Sequence, residues 1–566
     1  MPRAPLLAFS SAVLLVACAT ARPSPATTPA TAPARERSAS GAALSRYVSA
    51  RLADAAGDHA GAVAELRAGL VHDPDSPQLR MAYAEALARA GRLERAEAEA
   101  RRALQLVQDG TAAATDAHLV LGKVLASSGR SRAAMDELEA ATRIEGVLAR
   151  ARHEDDEEDE AFDPEPWRAL ARLRMETEDV AGATAACEDL AELDRSEGAS
   201  ALRELAAKLL DAKRLEAARA RLARSVELAP AEPEGWKLLA GVEESDGRFA
   251  EARAAWDRAL AADPDDPEAL LAAGRLALRD GDLAKARAHL GALLSTSPDE
   301  VGARVRVAAA WLDAKQPADA LTAASVAGDD PRLLFLRGVA LEQLRRWGEA
   351  ADAFAAVEPA SGDLYASARA SLAYSLVRAG RPAEAVRAAR RGLEEHPADP
   401  DLLFALGEAY DRAGQREAAL AQMRSVLAVK ADHAEALNYL GYSYAERGER
   451  LDEAQAMLER ALQLDPENGY YLDSLGWVYF KKGDLERAVK TLERADALVG
   501  PEPTILEHLG DSYRAAQRPT DAAGAYRRAL DASRRSGPDA ESTSTSRASV
   551  ERKLRELRRH EARTAK

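Results

Sequence analysis

Glycines recur along this chain at one interval. Gly57 and Gly91 lie 34 residues apart, as do Gly247 and Gly281; Gly380, Gly414 and Gly448 keep the spacing, and Gly483 follows at 35. Prolines 230, 264 and 298 share the interval, and so do the small residues Ala218, Ala252, Ala286 and Ala320, then Ala385, Ala419, Ala454, Ala488 and Ala522. A 566-residue chain punctuated in this way is not one globular core but an array of like units. Apolar residues make up 47% of the chain and aromatics only 5%, so alanine carries much of the apolar count. Sequence rich in Ala, Glu and Arg favours helix, because these side chains lose little rotamer freedom there. Stretches of β-branched alternation are few, which argues against sheets.

Each landmark has a physical reason. Gly274, Gly338, Gly407, Gly441, Gly476 and Gly510 occupy the eighth position of their units, where a missing side chain lets two helices approach. Glycine at the fifteenth position ends the first helix, since it accepts a left-handed conformation without Cβ strain. Proline near the thirty-second stops the second helix, because it lacks an N–H and clashes with the preceding turn. The unit beginning at Pro233 is the fullest, with Trp236, Leu239, Ala240, Gly247, Ala252, Trp256, Ala259 and Pro264. This pattern resembles the tetratricopeptide repeat (TPR) family, and the resemblance is strongest from Pro400 to Ala529. It implies an all-α, right-handed α-solenoid of about fourteen TPR helical hairpins over residues 43–533. The expected sub-arrays are 43–148, 164–360 and 361–533. An acidic insertion at 149–163, read as a loop, separates the first two, and shortened units near 301–330 and 331–360 are the expected joints. Residues 534–566 form a basic tail, with ten Lys/Arg against five Asp/Glu. In it Val550, Leu554 and Leu557 fall on one helical stripe, read as a polar cap on the last repeat.

The first residues read as a targeting segment. Arg3 precedes an apolar run from Ala4 to Ala17 that is too short to span a bilayer. It ends Leu15-Val16-Ala17-Cys18, which resembles the lipobox of bacterial lipoproteins. The resemblance implies a signal peptide at 1–17, lipidation (palmitate among the acyl chains) of Cys18, and a Pro/Ala/Thr tether over 18–42. Acyl chains contribute about 0.8 kcal/mol per buried methylene, so several on one cysteine hold a chain at a membrane. Ala19 after the cysteine implies, by the same resemblance, an outer-membrane lipoprotein facing the periplasm. Cys187, the other cysteine, falls inside a second helix and reads as a buried thiol.

No catalytic signature is found. There is no phosphate loop ending in Lys-Ser/Thr, no Gly-x-Ser-x-Gly, no His-Glu-x-x-His and no Cys-x-x-Cys; the nine His are scattered. The reading is therefore a non-enzyme without cofactor, metal or small-molecule substrate. Net charge is −16, which repels phosphate backbones and argues against nucleic acid.

Aromatics are concentrated instead. Of seven Phe, six Trp and thirteen Tyr, eight lie between Ala434 and Phe480. Tyr444 and Tyr479 sit at the eleventh position, which packs between helices. In TPR arrays positions 2, 5, 9, 12 and 13 of the first helix face a concave groove. By that resemblance the groove carries Asn438, Tyr442 and Glu446, then Tyr470, Asp473, Trp477, Phe480 and Lys481, then Glu507, Asp511 and Arg514. Aromatics beside amides and charges suit a peptide; the alternative is packing between repeats. Tyr439 and Tyr442 stand where the carboxylate clamp of chaperone-binding TPR proteins needs Lys or Asn, which argues against a chaperone tail. The resemblance thus implies a scaffold that binds proteins or peptides at the bacterial envelope. The alternative is surface polysaccharide or cell-wall handling, with Trp477, Tyr442 and Tyr470 stacking on glycan.

Overall fold

The computed structural model describes residues 41–155, 162–325, 328–535 and 547–564. The signal peptide, Cys18, nearly all of the tether, the end of the acidic run and the Ser/Thr-rich stretch after Arg535 lie outside the described residues. Those described divide into two compact units, one up to Ala231 and one from Glu232. The division coincides with neither the acidic insertion nor the shortened units.

The first unit holds five helical hairpins. They are α1 (Gly41–Ala55) with α2 (His59–His72), α3 (Pro77–Arg89) with α4 (Leu93–Leu106), and α5 (Ala112–Ser127) with α6 (Ser131–Asp155). Then come α7 (Glu165–Glu176) with α8 (Val180–Leu193), and α9 (Arg195–Asp211) with α10 (Leu215–Leu228). The second unit opens with α11 (Pro233–Ser245) and α12 (Phe249–Ala262), α13 (Pro267–Arg279) and α14 (Leu283–Thr296), and α15 (Val301–Asp313) and α16 (Pro317–Ala324). It continues through α17 (Pro331–Gln343) and α18 (Trp347–Ala355), α19 (Asp363–Arg378) and α20 (Pro382–Glu395), and α21 (Pro400–Arg412) and α22 (Arg416–Val429). It closes with α23 (Ala434–Arg447) and α24 (Leu451–Leu464), α25 (Gly469–Lys481) and α26 (Leu485–Val499), α27 (Pro503–Ala515) and α28 (Pro519–Arg535), then a single helix, α29 (Arg547–Thr564). The twenty-eight helices α1–α28 make fourteen pairs, the expected number, and no strand occurs among the described residues. The chain is an all-α, solenoid-type array of stacked hairpins.

The period survives where its glycine is missing. Glycines 57, 91, 129, 247, 281, 380, 414, 448 and 483 close first helices at positive φ, and Glu178, Lys213, Lys315, Arg345 and Gln517 hold the same place with φ between 56° and 62°. The turn thus imposes a left-handed residue on every hairpin, glycine or not, and each non-glycine bears a strain cost of order 1 kcal/mol. First helices often open on proline behind a capping acid: Asp399 Oδ1 accepts from Leu402 N at 2.8 Å, one residue before Pro400.

Two expectations are corrected. The acidic segment, expected to be a loop from 149, is instead helical at its start, since α6 continues to Asp155. Ala149 is buried and Arg152 pairs with Glu145 at 2.9 Å, so packing and an ion pair carry the helix into the acidic run. The expected tether ends at residue 42, whereas Gly41 and Ala42 already belong to α1. The shortened units have short second helices, α16 and α18, yet the core passes through them: one apolar cluster runs from Leu270 to Ala340 and the next from Leu341 to Ala419, both with Leu321 packed on them.

Candidate functional site

The aromatic stripe does come together, but it faces inward. Asp473 and Trp477 on α25 and Glu507 and Asp511 on α27 are buried. The Trp477 ring lies between two others, stacked on Phe480 at 4.6 Å and on His508 at 4.1 Å. Its Nε1–H donates to Glu446 Oε1 at 2.6 Å. Lys481 Nζ stands 5.0 Å from its centroid and donates to the Glu446 carbonyl oxygen at 3.3 Å. Tyr442 is half-buried, its ring 6.2 Å from that of His508, and Asn438 is half-buried with an Oδ1 that no protein donor reaches. Only Glu446, Tyr470 and Arg514 are exposed, with Phe480 and Lys481 half-buried at the edge. The expected concave aromatic surface is therefore chiefly a seam between successive first helices. A buried Trp477 offers no open face to peptide or glycan. The physical reason is that first helices α23, α25 and α27 pack directly on one another, so flat rings on facing stripes stack.

His508 sits at the centre of this seam, and the stripe pattern did not single it out. Its Nδ1 lies 2.9 and 3.1 Å from the two Asp473 carboxylate oxygens. Burial alone would favour the neutral ring, but the Asp473 charge outweighs it, helped by Glu446 and Asp511, and the imidazole pKa is raised. The last repeat is closed by the chain itself. Lys553 of α29 donates to Glu507 Oε1 at 2.7 Å and Asp511 Oδ2 at 2.5 Å, while Tyr526 donates to Asp511 Oδ1 at 2.6 Å. Val550, Leu554 and Leu557 are buried against α28, as the stripe in the tail implied.

An open cleft exists elsewhere, in the first unit, and sequence reasoning missed it. It measures about 300 Å³ between first helices α7 and α9. Ala171, Met175, Ala201 and Leu205 contribute apolar walls, and Arg168, Arg172, Glu204 and Lys208 contribute charge. Counted back from the left-handed Glu178, Arg168, Arg172 and Met175 hold positions 5, 9 and 12, the same stripe that closes in the second unit. Where α25 has Trp477 and Phe480, α7 has Arg172 and Met175, and α9 has Ala207 in the place of Trp477, so no stack of rings fills the stripe. Arg168 is held by Glu197 at 2.7 Å, Ser200 at 3.0 Å and Glu204 at 3.2 Å, yet its Nε–H is buried without an acceptor. The only sequence signal was an Arg-x3-Arg-x2-Met spacing with no aromatic to mark it.

Profiles of the tetratricopeptide repeat match residues 55–115, 238–301, 271–329, 366–409, 409–468, 447–502 and 475–541. The chain belongs to the tetratricopeptide repeat family. A TPR repeat-containing protein of Pseudomonas aeruginosa is 32% identical over 128 residues, which cover 23% of this TPR chain and 22% of that relative's length. Among solved structures, MamA of Desulfovibrio magneticus RS-1 is 22% identical with a TM-score of 0.27, covering 30% of this chain and 97% of that one. The APC/C hetero-tetramer Cut9–Hcn1 is 13% identical with a TM-score of 0.38, covering 91% and 96%. As a TPR array the chain has the architecture of a protein–protein interaction scaffold.

Proposed function

We propose that this TPR chain is a scaffold held at the bacterial cell envelope by lipid on Cys18, where it binds a protein segment on the first-helix stripe of its first unit. The α7–α9 cleft carries the reading: its apolar walls take one side chain, and Arg172, Glu204 and Lys208 along it engage the segment's backbone and charged groups. The reading requires no catalytic step. No described helix is long and apolar enough to cross a membrane, so lipid supplies the anchor in this proposal. The glycan alternative loses its main support with the burial of Trp477. Photo-crosslinking from position 208 in native envelopes tests the site. A discrete protein adduct, lost in Ala171→Asp/Met175→Asp, is expected; no adduct, or one unchanged by the substitutions, rejects it. Cys18→Ala is expected to move the chain from membrane to soluble fractions and abolish labelling with a palmitate analogue, and retention of both would reject the anchor.

A further inference from the structure

The tail helix α29 sits on all three residues of α27 that the TPR resemblance assigns to a partner. Lys553 donates to Glu507 and Asp511, Ser549 Oγ donates to Glu507 Oε1 at 3.3 Å, and Glu556 pairs with Arg514 at 4.0 Å. Val550, Leu554 and Leu557 complete the contact, in one apolar cluster with Leu509, Tyr526 and Leu530. The register shows which place α29 has taken. Asp473 and Glu507 both stand ten residues before a left-handed residue, Gly483 and Gln517; His508 of α27 meets the first and Lys553 of α29 the second. α29 therefore lies where the first helix of a further hairpin would lie. It differs from the other first helices in one respect. Among the described residues no second helix follows to clasp it, and Arg552, Arg555, Glu556 and Arg559 on its other side are exposed. Residues 536–546, which join it to α28, make the longest connection between successive described helices, so its departure does not require α28 to unwind.

From this geometry we infer that α29 is an exchangeable occupant, and that its seat on α27 and α28 is a docking site for a basic amphipathic helix of a partner protein. Complementarity selects the chemistry of that helix. The floor is apolar, but Glu507 and Asp511 are buried in it under one lysine. A purely apolar helix would leave two buried carboxylates without a cation, which offsets the gain from apolar contact. An acidic helix or a nucleic acid meets like charge. The helix that fits repeats the resident's pattern, with aliphatic side chains spaced as Val550, Leu554 and Leu557 and a lysine placed as Lys553. α29 is then an internal competitor: tied to its own seat, it yields only to a helix that binds more tightly than the tail does in trans. The seat belongs to the second unit, so this inference stands or falls apart from the α7–α9 reading.

The test uses the full chain with Cys18→Ser, in which the remaining Cys187 is buried. Amides of α29 are expected to exchange at least tenfold faster than those of α27 and α28, which reports local departure. A fluorescent peptide of residues 547–566 is expected to bind saturably, and its Lys553→Glu version at least tenfold more weakly. Bridging Arg514→Cys to Glu556→Cys with a bismaleimide pins α29 while leaving Lys553 in place, and is expected to weaken peptide binding at least tenfold; the same chain unbridged should bind as its parent does. α29 amides protected as long as those of α27, absence of peptide binding, or binding indifferent to the bridge overturns the inference and leaves a fixed cap. Binding unchanged by Lys553→Glu overturns the charge selection. Dimers in sedimentation that the peptide dissociates also overturn it, since the tail of a second copy would then be the occupant.

Discussion

His508 takes its chemistry wholly from the fold. Ring stacking on Trp477 buries it, and Asp473 then supplies the charge that favours the protonated form. Its folded pKa is raised above the unfolded value of about 6.5, so its contribution to stability is complete below that pH and is lost as pH rises through the folded pKa. NMR titration is expected to place the His508 midpoint above that of a free histidine. Asp473→Asn should lower the midpoint and flatten the loss of stability on the alkaline side; an unshifted midpoint would refute the pair. Cys187 is the opposite case. Burial, assisted by Glu204 and Glu188, pushes its thiol up to about 12, so alkylation at neutral pH should wait for unfolding.

At the scale of elements, close helix approach and the last cap decide stability. A Cβ on Gly510 would lie 2.5 Å from the Tyr526 ring, whereas one on Gly291, on the surface of α14, meets nothing within 4 Å. Overpacking costs about 1–3 kcal/mol and exceeds the ~1 kcal/mol helix-propensity gain of alanine. Gly510→Ala should therefore destabilise and Gly291→Ala stabilise by roughly 0.5–1 kcal/mol in urea titrations; the same sign at both sites would contradict the packing account. Lys553 of α29 is the cation for two buried carboxylates. Lys553→Met should cost roughly 2–4 kcal/mol, and Glu507→Gln with Asp511→Asn in the same chain should recover part of it. Tyrosine at the eleventh position makes a further seam: Tyr410, Tyr444, Tyr479 and Tyr513 each have an arginine, from Arg390, Arg450, Arg487 and Arg518, within 5.6 Å of the ring centroid.

At the scale of the molecule, stability is local and passes between neighbours. Within the second unit the apolar clusters follow one another along the chain instead of converging on a centre. A charge introduced by Ala405→Asp is therefore expected to raise amide exchange in α19–α24 well before α27–α28. Uniform loss of protection over the whole unit would show one cooperative core instead.

The repeat number, the helical class, the close-approach glycines and the capping stripe of the tail were legible in the residues, because each follows from a local rule: a period, a left-handed turn, a missing Cβ, an apolar face on a polar helix. Hairpins lacking glycine, such as those turning at Glu178 and Lys213, still fell on the period because neighbouring units set the count. Which stripe stays open was not legible. Asn438 to Arg514 and Arg168 to Met175 hold equivalent positions, and only the side chains arriving from the next first helix decide between a seam and a cleft. Rings stack and close the face, Arg172, Met175 and Ala207 in their places leave it open, and a helix returning from the tail places Lys553 on carboxylates 46 and 42 residues earlier. Those outcomes depend on contacts between elements, which no spacing along the chain encodes.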